Sequence, residues 1–267
     1  MKISGLLYKM RSVLKDENTV SYSLVLSDRL FPLDVDDNRR ISIRFTGRKN
    51  CISCGLLSTE LLGNGFCPAC YVTVPEAAEC IFHPELCKAH LGEGRDVKWE
   101  QEHHNQPHFV YLARTSVIKV GVTRETQIPT RWIDQGADSA VCIAKTPHRA
   151  MAGKMEVMLK KHFADKTPWQ KMLKNEISAD NLQDAVHHAQ TVLSNEYSEQ
   201  LLQQAREVHF RYPVKRYPNT VKSVQLSRNE YFEGILSGIR GQYLMLDDGS
   251  VLNIRNHTGY HCVVEWS

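Results

Sequence analysis

Apolar and polar residues alternate along Ser21–Leu26 and again along Ile41–Phe45, a period of two that predicts strands with one buried face. Asp34–Asn38 between them is polar enough for a turn. Toward the other end, Phe232–Ile239, Gln242–Leu246 and Val251–Ile254 predict short strands, with Asp248-Gly249 as a hairpin turn. Gly5-Leu6-Leu7 also resembles Gly234-Ile235-Leu236. Both ends are therefore β-rich, and the expectation is that they complete one small β-barrel or sandwich around central insertions.

In the middle of the chain, Phe109–Ala113 and Val117–Thr123 predict a hairpin joined by Arg114-Thr115-Ser116. Alternation puts Val110, Leu112, Ile118, Val120 and Val122 on one face, leaving Tyr111, Lys119, Gly121 and Thr123 on faces able to stay open. Gly121 would admit a close backbone or ligand. The period then changes to that of helices. Pro129 opens a short helix carrying Arg131, Asp134 and Gln135 that stops at Gly136. A longer one, from about His148 to Phe163, buries Ala152, Met155, Leu159 and Phe163, with Glu156 beside that stripe. Ser178 is the expected N-cap of an amphipathic helix bearing Leu182, Ala185, Val186, Ala189, Val192 and Leu193. A further helix is expected from about Tyr197 to Val208, through Leu201, Leu202 and Ala205. The aromatic-proline stretch Phe210–Pro218, with its interleaved cations, could stack on single-stranded bases, but reads more readily as a linker laying its rings on a neighbouring domain.

The 267 residues carry a net charge of only +3. Its distribution is uneven. From His108 to Lys174 twelve Lys/Arg face five Asp/Glu, whereas from Ile177 to Val208 one Arg faces five acids. The middle of the chain is where a phosphate backbone finds cations, with Lys119, Arg124, Arg131 and Arg149 the expected contacts. No stretch approaches the roughly 18–20 apolar residues of a membrane span, and Met1–Lys15 has no secretory run, so a cytoplasmic protein is expected.

Six of eight cysteines fall between Cys51 and Cys87, and without an export signal such clustering points to metal rather than disulfides. Cys51-x2-Cys54 and Cys67-x2-Cys70 each let two thiolates converge, and together they complete a tetrahedral zinc shell of structural type. Two further sets have zinc-ligand atoms. One is Cys80/His83/Cys87/His90 and the other is Cys80/Cys87/His90/His104, against the alternative of buried thiols and surface imidazoles.

At Val110-Tyr111-Leu112 and Lys119-Val120-Gly121 the chain resembles the GIY and YIG tripeptides of the GIY-YIG nuclease superfamily, to which homing endonucleases and an excision-repair nuclease belong. The resemblance covers about Phe109 to Phe163. It implies Tyr111 as base or orienter, Arg131 as phosphate clamp and Glu156 as ligand of one Mg2+ or Mn2+, against the alternatives of a half-buried strand aromatic at Tyr111 and an i,i+4 pair of Glu156 with Lys160 on a surface helix. Lys119 departs from the motif, standing at the second tyrosine; it would abolish activity, assist phosphate binding or take over as base. With the upstream cysteines and Arg131-Trp132-Ile133-Asp134-Gln135-Gly136-Ala137, the chain also resembles a bacterial family of uncharacterised function in which a zinc-ribbon-like segment precedes such a module. That family's cysteine near position 104 favours the set using His104.

The expected architecture is α+β: a discontinuous terminal β-domain (1–48 with 228–267), a zinc-ribbon-like insertion (49–107), a GIY-YIG-like α/β module (108–175), a small helical segment (176–210) and a linker (211–227). The expected function is metal-dependent cleavage of DNA or RNA. The other reading is a non-catalytic zinc protein binding nucleic acid or a protein partner through the same surface.

Overall fold

In the computed structural model, which describes residues 2–35 and 39–266, the chain is α+β. It begins with β1 (Lys2–Leu14), β2 (Val20–Leu26), β3 (Arg29–Leu33), β4 (Arg40–Lys49) and the short helix α1 (Pro68–Thr73). Next come α2 (Val97–His103), β5 (His108–Arg114), β6 (Ile118–Arg124), α3 (Thr130–Asp134), β7 (Ser139–Thr146), α4 (Arg149–Leu159), α5 (Trp169–Leu173), α6 (Leu182–Tyr197) and β8 (Val208–His209). It closes with β9 (Lys222–Ser223), α7 (Leu226–Asn229), β10 (Tyr231–Arg240), β11 (Tyr243–Leu246), β12 (Ser250–Asn253) and β13 (Tyr260–Trp266). The predicted turn 34–38 falls largely on 36–38, outside the described residues. No helix among the described residues is long and apolar enough to cross a membrane.

Two compact units emerge. One comprises Met1–Val72, Leu173–Asn175 and Arg211–Ser267, the other Thr73–Met172 and Glu176–Phe210. The stretch 49–107 is thus divided after Val72, and 108–172 shares a unit with 176–210.

The first unit is built on a nine-stranded sheet in the order β3-β2-β1-β13-β4-β10-β11-β12-β9. β1 is long enough to pair with β13 through Lys2–Leu6 and with β2 through Leu7–Leu14. Strict alternation in β2 buries Val20, Tyr22, Leu24 and Leu26. β3 was not legible because Pro32 argues against a strand; it is an edge strand, where a missing N–H is tolerated. The Gln242 side chain bonds both the N–H and the carbonyl of Met10, at 2.7 and 3.1 Å, fastening the β10–β11 turn to β1. In the linker, the Tyr212 and Tyr217 rings face the buried Arg240 guanidinium, at 5.1 and 6.0 Å.

The second unit holds a four-stranded sheet, β6-β5-β7-β8. Val110, Leu112, Val120 and Val122 join Ala152, Met155 and Leu159 of α4 and Leu182, Val186, Ala189 and Leu193 of α6 in one core. α4 ends at Leu159, and Phe163 packs on that core from outside the helix. The cap of α6 is Asn181, whose side chain accepts from the Gln183 N–H; Ser178 instead bonds Asp180. The expected helix 197–208 does not form. After Tyr197 the chain makes one 3-10 turn and then extends, because the Leu202 N–H is taken by the Ile143 carbonyl of β7 and Leu201 bridges Ala144. There, pairing to a strand prevails over local helix periodicity.

Candidate active site and metal centres

The first cysteine group belongs to the first unit. The Cys51–Gly55 turn closes with the Gly55 N–H on the Cys51 carbonyl, and Gly55 takes φ +73°, where a side chain would be strained. Leu62 and Phe66 pair to form a second tight turn leading into Cys67 and α1. The sulfurs of Cys51, Cys54, Cys67 and Cys70 all lie within 4.8 Å of one another, with Cys54 and Cys67 at 3.8 Å. A tetrahedron with Zn–S bonds of about 2.3 Å has edges of roughly 3.8 Å, so the group fits a zinc-ribbon-like site. Burial alone would raise the Cys51 thiol, but the backbone N–H groups of Cys54, Cys67 and Ser53 outweigh it and take it down to about 6, favouring the thiolate a metal needs.

The second group lies in the other unit and differs from either expected set. Cys80, Cys87, Glu100 and His104 present their ligand atoms within 4.8 Å of one another, and all four are buried. His104 Nδ1 stands 3.6 Å from Cys87 Sγ, 3.9 Å from Cys80 Sγ and 3.7 Å from a Glu100 oxygen. These separations are close to the edges of a tetrahedral shell with bonds of about 2.0–2.3 Å. Glu100 and His104 are four residues apart, so helical geometry brings them together. The other carboxylate oxygen accepts the Arg95 N–H at 2.9 Å. A donated proton from Cys80 holds the Cys87 thiol down to about 4 and Cys80 above its usual range. His90 is not in the group: the 3-10 turn at Ala89–Leu91 exposes it, and its ring stacks on His148 at 4.2 Å. His83 is exposed beside Glu85.

The hairpin pairs Tyr111 with Gly121 and Ala113 with Lys119. The expected open face is closed. Tyr111 is wholly buried, with Lys119 and Thr123 nearly so; α3 covers Tyr111, whose ring meets Trp132 edge-on at 5.9 Å and whose hydroxyl donates to Gln135 Oε1 at 3.0 Å. Gly121 makes room for Tyr111 itself, since an added Cβ would fall 2.5 Å from the phenol oxygen. Pro129 and Gly136 bracket α3, and Gly136 has φ +71°.

Burial raises the Tyr111 phenol, although Arg131 acts against this by charge and by hydrogen bonding. Burial takes the Lys119 ammonium down to about 7, and the Arg131 charge pushes the same way against Glu156 and Asp165. Burial also raises the Glu156 carboxyl, opposed by Lys160 at 3.3 Å. Arg131 and Glu156 thus each act by charge on both Tyr111 and Lys119. Arg149 is not free to bind phosphate: its guanidinium is largely buried and donates to the Cys80 and Ile81 carbonyls at 3.0–3.1 Å. Arg124 is half-buried at the far end of β6, opposite His108. Exposed cations of the basic stretch are instead Lys145, which pairs with Glu125, and Lys154, Lys161, Lys166 and Lys171.

Sequence reading missed Glu100 as a ligand candidate and Gln135 as the partner of Tyr111. The i,i+4 spacing to His104 was a signal for Glu100; Gln135 is brought in by the docking of α3 on Tyr111. A family model described as a protein of unknown function (DUF2797) matches residues 38–262. No curated protein and no solved structure matches the chain.

Proposed function

The chain belongs to the DUF2797 family, whose function is unknown, and from its own residues we propose that the second unit is a GIY-YIG-like module hydrolysing the phosphodiesters of DNA or RNA with a divalent cation. The observation that carries this reading is the packing of Tyr111 on Trp132 and its hydrogen bond to Gln135, which bring α3 onto the hairpin, with Arg131 and Glu156 each acting by charge on Tyr111 and Lys119. Glu156 is nearly fully buried with Lys160 Nζ 3.3 Å from its Oε2, so a divalent cation at this carboxylate would take the place of that ammonium.

Bound there, Mg2+ or Mn2+ would supply the Lewis acidity that stabilises charge on the phosphoryl oxygens. Arg131 clamps the phosphate. Lys119, with its ammonium near 7, is partly free amine at neutral pH and accepts the proton of the attacking water. Tyr111 is the poorer base, because burial favours its neutral form; donating to Gln135, it orients the site. Lys154, Lys161, Lys166 and Lys171 hold the polyanion by charge.

The test is cleavage of plasmid, branched DNA and structured RNA by zinc-loaded protein with Mg2+ or Mn2+. Glu156→Gln nearly preserves volume and should abolish cleavage while leaving binding intact. Equal cleavage by wild type and variant would refute the assignment. Cleavage should rise with pH through about 7 as Lys119 loses its proton, and Lys119→Met should remove that limb. The complete burial of Tyr111 favours the second reading, a non-catalytic zinc protein that binds nucleic acid or a protein partner through this surface. That reading prevails if wild type binds but never cuts while Lys119→Tyr acquires nicking.

A further inference from the structure

We propose that the Cys80/Cys87/Glu100/His104 centre is a Cys2His zinc site whose fourth ligand, the Glu100 carboxylate, is displaceable, and that a surface cavity leads a small monoanion to that position. The four donors are unequal. Cys80, Cys87 and His104 offer the thiolate and imidazole atoms that suit Zn2+, and three such ligands with one exchangeable position is the arrangement of a zinc that binds or activates a small molecule. Four thiolates, as at Cys51/Cys54/Cys67/Cys70, make a closed shell instead. Glu100 supplies the one hard oxygen donor of the second set, so it is the ligand most readily exchanged.

The surroundings single out the same side chain. A cavity of about 360 Å3 reaches the centre from one side: Cys80 and Glu100 line it, whereas Cys87 and His104 do not. Both lining ligands are otherwise buried. Gly94 lines the cavity as well and has no side chain to interpose, since a Cβ there would fall 2.3 Å from the Glu100 carboxyl carbon and 2.5 Å from each of its oxygens. Glu100 Oε2 stands 3.7 Å from His104 Nδ1, on the ligand side, while Oε1 accepts the Arg95 N–H at 2.9 Å. One oxygen can therefore leave the metal while the other stays tethered. Charge sets the class of ligand. Zn2+ with two thiolates and a neutral imidazole is neutral and completes its shell with one anion, and Lys88 and Arg95 line the cavity through which that anion arrives. In the exchange the metal–Oε2 bond breaks and one metal–ligand bond forms; no proton or electron moves.

The experiment replaces zinc by Co2+ in the full-length protein and titrates azide as the probe, following the visible ligand-field bands. The four-thiolate centre has no position to exchange, so the second cobalt alone should respond. In wild type, azide should shift its bands to saturation while both cobalts stay bound, a readout that needs no variant to fold. Glu100→Gln removes the anionic ligand at nearly constant volume and should bind azide at least about tenfold more tightly, because the fourth position is then open rather than occupied most of the time. Bands unmoved by azide in both proteins would overturn the proposal and leave a closed, structural centre. Equal azide affinity in the two would remove Glu100 from the fourth position. A chain that takes up cobalt at the four-thiolate centre alone would also overturn it, as would azide that strips the second cobalt instead of shifting its bands.

Discussion

The two cysteine groups use similar chemistry in opposite surroundings. Around Cys51/Cys54/Cys67/Cys70 the chain is thin: Cys54 is exposed, and Leu56, Leu57 and Val72 nearby are each about two-thirds exposed. Around Cys80/Cys87/Glu100/His104 all four side chains are buried, and Cys80, Cys87, Ala78 and Ala89 pack with Ala150 of α4. Arg149 adds guanidinium bonds to the Cys80 and Ile81 carbonyls and an N–H bond to the His104 carbonyl. The first group therefore pins a peripheral pair of turns. The second is part of the surroundings of the helix that carries Glu156, so losing a metal there has consequences beyond the loop that binds it.

The largest expected effect tests that difference directly. Cys87→Ser should destabilise the second unit by several kcal/mol, because it combines metal loss with a disrupted core, and should expose α4 to hydrogen exchange. Cys51→Ser should lose one zinc as well, yet its lost exchange protection should stay within 51–72. Equal spread of lost protection in both variants would erase the distinction. Gly153→Ala should come next, at about 1–3 kcal/mol by denaturant titration, because its methyl meets the backbone of Pro84 and Glu85 rather than a flexible side chain. No destabilisation would mean that the loop does not rest on α4.

A smaller effect is acid sensitivity of the second unit. Burial holds His108 down to about 3, so the folded state binds fewer protons than the unfolded one between about 3 and the ordinary histidine value. Its stability contribution is complete above about 6.5 and declines as pH falls toward 3. Urea melts at pH 7.5 and 5 should show this loss, and His108→Gln should flatten it; an unchanged slope in the variant would assign the sensitivity elsewhere.

The legible features were those governed by local spacing. Two C-x2-C pairs specified the first cysteine group, alternation gave β2, β5 and β6, and Pro129 with Gly136 bracketed α3. The features missed depend on what packs from elsewhere. Tyr111 and Lys119 had open-face spacing, yet both are buried, Tyr111 under Trp132 of α3 and Lys119 beside Ala164. His90 had ligand spacing, but its turn faces solvent, while Glu100, unremarkable in a charged stretch, enters the second group through one helical turn. Arg149 counted as a surface cation, yet three carbonyl contacts occupy it.

Gly153 also bears on the order of folding. A helix of 11 residues is marginal alone, and an interior glycine costs it about 1 kcal/mol more, so a peptide spanning α4 should be mostly coil. The residue that lets the Pro84-Glu85 loop dock thus weakens the helix until docking occurs. α4 should become helical only together with that loop and the core it packs on.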